Sequence, residues 1–156
     1  MRIIFMIPAI FFLAGCNSPK KITAMQPSTT TSVIPIAGTY WKLIELNGKP
    51  ATQVSPADGK EIFMMLFKNE NRVSGNGGCN GFAGTYNLAD DSFRLGFSKI
   101  MRTQMACAKL DTENEFFKVL DETDSYYITN NVLQLNRARM AALAKFIAVP
   151  AKNIIE

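Results

Sequence analysis

From residue 39 onward, apolar and polar positions change over in short runs broken by turn residues. Residues 39–46 (TYWKLIEL) mix aromatic and branched side chains and end at Asn47-Gly48, a pair suited to positive φ. Residues 62–67 form an unbroken apolar run, too short for a helix and predicted as a buried strand. Further strands are predicted at 72–74, 81–87 and 93–97, between Gly-rich or Asp-containing turns. One helix is predicted from Asp111-Thr112, with Thr112 and Glu115 as a capping box and Phe116, Phe117 and Leu120 as its apolar stripe. Segments 125–129 and 132–136 flank Asn130-Asn131, a tight-turn pair, and 142–149 is a last strand closed by Pro150. In Phe116-Phe117 and in Tyr126-Tyr127, one ring of each pair is expected to face inward and the other outward. The pattern predicts an α+β fold. It is a single domain with a strongly curved antiparallel sheet, partly open and barrel-like, of about seven or eight strands packed on one main helix.

The chain ahead of this region reads differently. Met1-Arg2 is followed by an apolar run from Ile3 to Phe12, shorter than the roughly 20 residues that a spanning helix needs. It suits the apolar core of a secretory signal. The sequence Leu13-Ala14-Gly15-Cys16 then resembles the lipobox of bacterial lipoproteins. That resemblance implies a diacylglyceryl group on Cys16, a new N-terminus there, and a chain held on a membrane through its lipid. The expected organisation is a signal peptide at 1–15, a flexible tether at 16–37, a domain at 38–150 and a short tail at 151–156. The tether has no aromatic residue and a Ser/Thr cluster, as a solvated linker would. Asn17 after the lipidated cysteine resembles an outer-membrane address, with the domain facing the periplasm.

Composition narrows the chemistry. Among 156 residues there is no histidine, which removes Ser-His-Asp and Cys-His nucleophile systems and imidazole metal sites. The formal charge of +4 is weak and dispersed, and a cleaved signal would lower it by Arg2 alone, so no nucleic-acid partner is expected. Carboxylates at Asp90-Asp91 and at Asp121, Glu122 and Asp124 fall in solvated turns or at a helix end. The methionines (Met64, Met65, Met101, Met105, Met140) lack clustered metal-ligand spacing and read as core filling. A Ser-Lys pair such as Ser98 with Lys99 or Lys60 is the remaining enzymatic alternative, although strand neighbours point to opposite faces. No catalytic residue, metal or cofactor is assigned, and a monomer is expected.

Residues 72–86 read RVSGNGGCNGFAGTY. The glycines do not make a phosphate loop, because no Lys-Ser/Thr follows and the next stretch is strand-like. With Cys16 lipidated, Cys79 and Cys107 are left over in an oxidising compartment, where such thiols usually pair. The competing reading is a reactive thiol, activated by Lys99, Arg102 or a helix end.

Several separated blocks carry a specific resemblance: Trp41-Lys42-Leu43, Gly78-Cys79-Asn80-Gly81-Phe82-Ala83-Gly84-Thr85-Tyr86, and Thr103-Gln104-Met105-Ala106-Cys107. Together with Glu115-Phe116 and Leu133-Gln134-Leu135 they resemble the META/HslJ-like domain family over about residues 38–149. The resemblance implies a small, often lipid-anchored envelope protein with links to heat and stress, and no enzyme activity or agreed ligand comes with it. The motif residues Gly78, Cys79, Asn80, Phe82, Gly84, Tyr86, Thr103, Met105 and Cys107 are the candidate site. If the cysteines pair, Asn76, Asn80, Arg102, Thr103 and Gln104 are expected to form an exposed polar rim that recognises an envelope partner. The competing expectation is that the motif only builds a demanding turn. The segment 137–142 lacks the glycine usual in the last hairpin of the family, which leaves the register of the final strand open.

Overall fold

The structure, a computed structural model, describes residues 34–52, 60–107, 110–138 and 140–150. The signal, the lipobox with Cys16, most of the tether and the tail lie outside the described residues. The element order is β1 (Tyr40–Leu46), β2 (Lys49–Pro50), β3 (Phe63–Phe67), β4 (Arg72–Asn76), β5 (Gly81–Ala89), β6 (Arg94–Arg102), α1 (Asp111–Glu122), β7 (Ser125–Thr129), β8 (Val132–Asn136) and β9 (Ala144–Val149). Each strand from β3 to β9 pairs antiparallel with the next, and β1 pairs with β3 on one edge and β9 on the other. The sheet therefore runs round into a ring, with β6 and β7 joined by a single pair, Arg94 opposite Ser125. Its nine strands exceed the expectation by the two-residue β2, which extends one end of β1.

The turn chemistry operates as the residue types require. Asn47 and Gly48 both have positive φ, as do Asn130 and Asn131, so both hairpins take the left-handed turns that match strand twist. The last hairpin manages without glycine, because Ala138 itself adopts φ 52°. Its N–H donates to Asp124 Oδ1 at 2.8 Å, and β9 sits in register with Leu133 opposite Phe146. An alanine in this region costs about 1–2 kcal/mol, partly offset by glycine's larger unfolded entropy. Ala138→Gly is expected to raise the unfolding free energy by about 0.5–1 kcal/mol in a denaturant titration.

Two boundaries differ from the sequence expectation. The folded unit starts before residue 38: Ile36 and Ala37 are buried, Ala37 bridges to Leu66, and the Trp41 indole N–H donates to the Ile36 carbonyl at 2.8 Å. Apolar Ile36 gains more by covering the core than by staying in a solvated tether. The helix also begins without the expected capping box. Leu110 is its N-cap residue and no side chain caps it.

Phe116 and Phe117 are both buried, not one in and one out. The Phe116 ring meets Phe82 on β5 and Phe146 on β9, strands that are not neighbours, so it occupies the interior of the ring. Phe117 packs edge-on to Phe82. Tyr126 is buried while Tyr127 is exposed, as the alternation of a strand demands.

Candidate functional site

The candidate site is built where three chain segments meet at one end of the ring. The β4–β5 hairpin closes with Asn76 opposite Gly81, and the Gly77 N–H donates to the Asn80 carbonyl at 2.8 Å. Asn76 Oδ1 accepts from the Gly78 N–H at 2.7 Å, an Asx-type bond that turns the chain, and Gly78 takes φ 112°. Only glycine adopts that φ without strain. Beyond β6, Thr103 N–H donates to Gly81 O at 3.0 Å, which starts the second segment beside the hairpin. Cys79 and Cys107 form a disulfide with a Cα–Cα distance of 6.4 Å, linking these two segments.

Asn80 lies at the centre, and at 3% exposure it cannot belong to an exposed rim. Its Oδ1 accepts from the Thr103 hydroxyl at 2.8 Å and from the Met105 N–H at 2.7 Å. Its Nδ2 donates to Glu113 Oε1 at 2.7 Å. Glu113, also 3% exposed, receives two further bonds on Oε2, from the Cys79 N–H at 3.0 Å and the Asn80 N–H at 2.6 Å. Glu113 is the third residue of α1, where the unpaired N–H groups of the first turn favour a negative charge. A buried carboxylate is costly unless its lone pairs are filled, and here three N–H donors converge on it.

Sequence reasoning did not single out Glu113. Its signal was periodicity: it stands three residues before Phe116, four before Phe117 and seven before Leu120, on the apolar stripe. An acid on that stripe must find donors inside the fold.

The other motif residues serve the same junction or the strand that leaves it. Phe82 packs against the helix phenylalanines. A Cβ on Gly84 would come within 2.5 Å of Ile100 Cδ1 and 3.0 Å of Ser98 O, so the bulge opposite it needs a glycine. Tyr86 is buried, and its hydroxyl donates to Phe67 O at 3.2 Å. Arg102, Thr103 and Gln104 are exposed, as the rim expectation had them, but Asn80 has turned inward, where its side-chain oxygen and nitrogen are both bonded. The Ser98 hydroxyl shares a 2.9 Å bond with Thr85 Oγ1, so its partner is a threonine and not a lysine.

A cavity of about 650 Å³ opens at the end of the ring where β3 turns into β4 and β5 into β6; Ile36, Tyr86, Leu88, Asp90, Tyr126 and Ile128 contribute to its wall. The Tyr126 hydroxyl donates to Asp90 Oδ1 at 2.9 Å. Burial, then the bond and charge of Asp90, push the Tyr126 phenol up to about 12. Burial also raises Tyr86. A phenol raised in the folded state keeps its full contribution below its ordinary value and loses it as pH climbs through the folded value. Stability is therefore expected to fall between about pH 10 and 12. Tyr126→Phe should flatten that alkaline decline, checked by denaturation midpoints across the range.

With this geometry in place, known proteins give a consistent result. The META domain family matches residues 34–149, and the chain belongs to that family. No curated protein matches it. Among solved structures, one from Burkholderia xenovorans determined by NMR is 20% identical, covering 80% of this chain and 97% of its own, with a TM-score of 0.56. A DUF4847 family protein from Bacteroides vulgatus is 16% identical, covering 72% of this chain and 93% of its own, with a TM-score of 0.51. These likenesses concern the fold.

Proposed function

We propose that this META domain protein is a lipid-anchored component of a bacterial envelope that acts by binding and not by catalysis. The observation that carries the reading is how the motif spends its polar atoms. Asn80 and Glu113 bond each other, two neighbouring backbone segments and Thr103, and the cysteines bond each other. A nucleophile or general base needs a group poised toward a substrate, whereas these groups are consumed in holding three segments together. The lipobox at Leu13-Ala14-Gly15-Cys16 supports the anchor, and Asn17 supports an outer-membrane position facing the periplasm. In this reading the domain supports envelope components under stress.

The alternative is an inhibitor or pilot-like chaperone of a secreted protein. A groove of about 340 Å³ between β6 and α1 favours it, because such a groove can take a segment of another chain. The anchor is tested by feeding cells an alkyne fatty acid: the protein should carry the label, and Cys16→Ser should abolish it. Unlabelled wild-type protein would overturn the anchor. A pull-down of the lipidated protein from the membrane fraction then separates the two forms of binding. One stoichiometric partner selects the chaperone or inhibitor form, and broad envelope association selects the first.

A further inference from the structure

The two ends of the ring are finished differently. The buried Asn80–Glu113 pair and Cys79 sit where β4 turns into β5, whereas the 650 Å³ cavity opens at the other end, beside the β3–β4 and β5–β6 turns. Its wall carries inner-face residues of two strands, Tyr86 and Leu88 of β5 and Tyr126 and Ile128 of β7. Ile36 covers part of it from the chain entering β1, and the Trp41 indole holds the Ile36 carbonyl. The volume lies within the roughly 300–1,000 Å³ of small-ligand pockets, and the mouths of β-barrels are among the places where such pockets occur.

The rim of this mouth carries charges of both signs. Asp90 on the β5–β6 turn and Lys68 on the β3–β4 turn both line it, and among the described residues neither forms an ion pair. Asp91 adds a second carboxylate to the first of these turns. The other charges at the two turns are paired, Glu70 with Arg72 and Arg94 with Asp124. Phe93 marks the site independently. It has φ 53°, a left-handed conformation rare for a bulky side chain, and it is 54% exposed. Its ring lies 6.1 Å from that of Tyr126 and 6.5 Å from that of Tyr127. Packing of a ring so exposed offsets little of the backbone cost, and such outliers gather at ligand sites.

We propose that this mouth binds a single-chain zwitterionic amphiphile, with an ammonium and a phosphate on one apolar chain, as in a lysophospholipid. The proposal rests on the binding reading above and names the class of ligand. The ammonium lies against Asp90 and the rings of Phe93 and Tyr126, since a carboxylate beside aromatic faces favours a cation. Lys68 meets the phosphate. The chain runs inward along Leu88, Ile128 and Ile36, where its burial drives binding. A purely anionic amphiphile would face Asp90 and Asp91, and a purely cationic one would face Lys68. A zwitterion answers both.

The test uses the purified mature protein in vesicles of a neutral galactolipid, which offers neither ammonium nor phosphate. The probe is octylphosphoethanolamine below its micellar range. Trp41, the single tryptophan, reports through its bond to Ile36. A saturable change in its emission is expected, with new hydrogen-exchange protection at 34–37, 86–93 and 126–128. Octyl phosphate, which lacks the ammonium, and free phosphoethanolamine, which lacks the chain, should each bind at least about tenfold more weakly. Asp90→Asn keeps an acceptor for the Tyr126 hydroxyl; it should weaken the probe about tenfold and leave octyl phosphate no weaker. Phe93→Asn, which suits the left-handed backbone better, should weaken the probe without lowering the unfolding midpoint. Absence of a saturable signal, equal binding of octyl phosphate or of free phosphoethanolamine, protection at the β6–α1 groove instead, or unchanged affinity in either variant would each overturn the proposal. Labelled Cys16 without probe binding overturns this site alone, whereas probe binding with Cys16 unlabelled overturns the anchor alone.

Discussion

Glu113→Gln is expected to lower the unfolding free energy by about 2–4 kcal/mol, and Asn80→Asp by at least as much, while the two together recover roughly half of the loss. A glutamine side chain at 113 must turn its amide either toward Asn80 Nδ2 or toward the N–H groups of Cys79 and Asn80, so a donor faces a donor. Asn80 cannot flip to help, because its Oδ1 already accepts from Thr103 and Met105. An aspartate side chain at 80 makes the opposite error and sets two carboxylates 2.7 Å apart. In the double variant the charge has moved to position 80. The new carboxylate there still accepts from Thr103 and Met105 on one oxygen. The new amide at position 113 donates its NH₂ to the other oxygen, and its carbonyl accepts from the two backbone N–H groups. The recovery stays incomplete because the helix N-terminus prefers the anion on α1. Guanidinium titrations of the four proteins measure this, and simple addition of the two single losses would sink the network.

How much of this was readable beforehand follows from how local each signal is. Asn47-Gly48 and Asn130-Asn131 announce their turns because the required φ belongs to the residues themselves. The unbroken apolar run at 62–67 announces the buried strand β3 in the same local way. The closure of β1 on β9 was not readable, since Tyr40 and Val149 meet only through the curvature of everything between them. The pattern of residues ends β6 at Phe97, five residues early, because the bulge at Lys99 breaks the alternation that marks a strand. At the candidate site the Gly-Cys-Asn and Thr-x-Met-Ala-Cys blocks are visible as text. Their joint role is hidden by Glu113, a charged residue whose neighbours on the stripe are apolar. Asn80 is placed on the surface by the same habit, although a polar side chain whose oxygen and nitrogen are both bonded is stable inside.

Removing the disulfide by Cys79→Ala with Cys107→Ala is expected to cost about 3–4 kcal/mol while leaving the fold intact. The bridge spans 28 residues of sequence, so in the chain-entropy description most of its effect lies in the unfolded chain, which it keeps from expanding. The slope of the guanidinium transition should therefore rise in the double-alanine protein as more surface is exposed on unfolding. In the native state the same two segments remain tied by Asn80 to Thr103 and Met105, and the hairpin remains tied to α1 by Glu113. The two devices cross-link overlapping pieces of chain, so their losses should not add: Glu113→Gln in the disulfide-free protein should differ from its effect in the wild type by about 0.5–3 kcal/mol. The sign is informative. A larger loss without the disulfide means that each device holds the hairpin when the other is gone. A smaller loss means that the hairpin detaches as soon as the covalent link is cut. Native-state hydrogen exchange at the Cys79 and Asn80 amides distinguishes the two, because both amides are bonded to Glu113 and would exchange early only if the hairpin lifts away. An unchanged midpoint and slope in the double-alanine protein would show that the bridge adds nothing to what the buried carboxylate already holds.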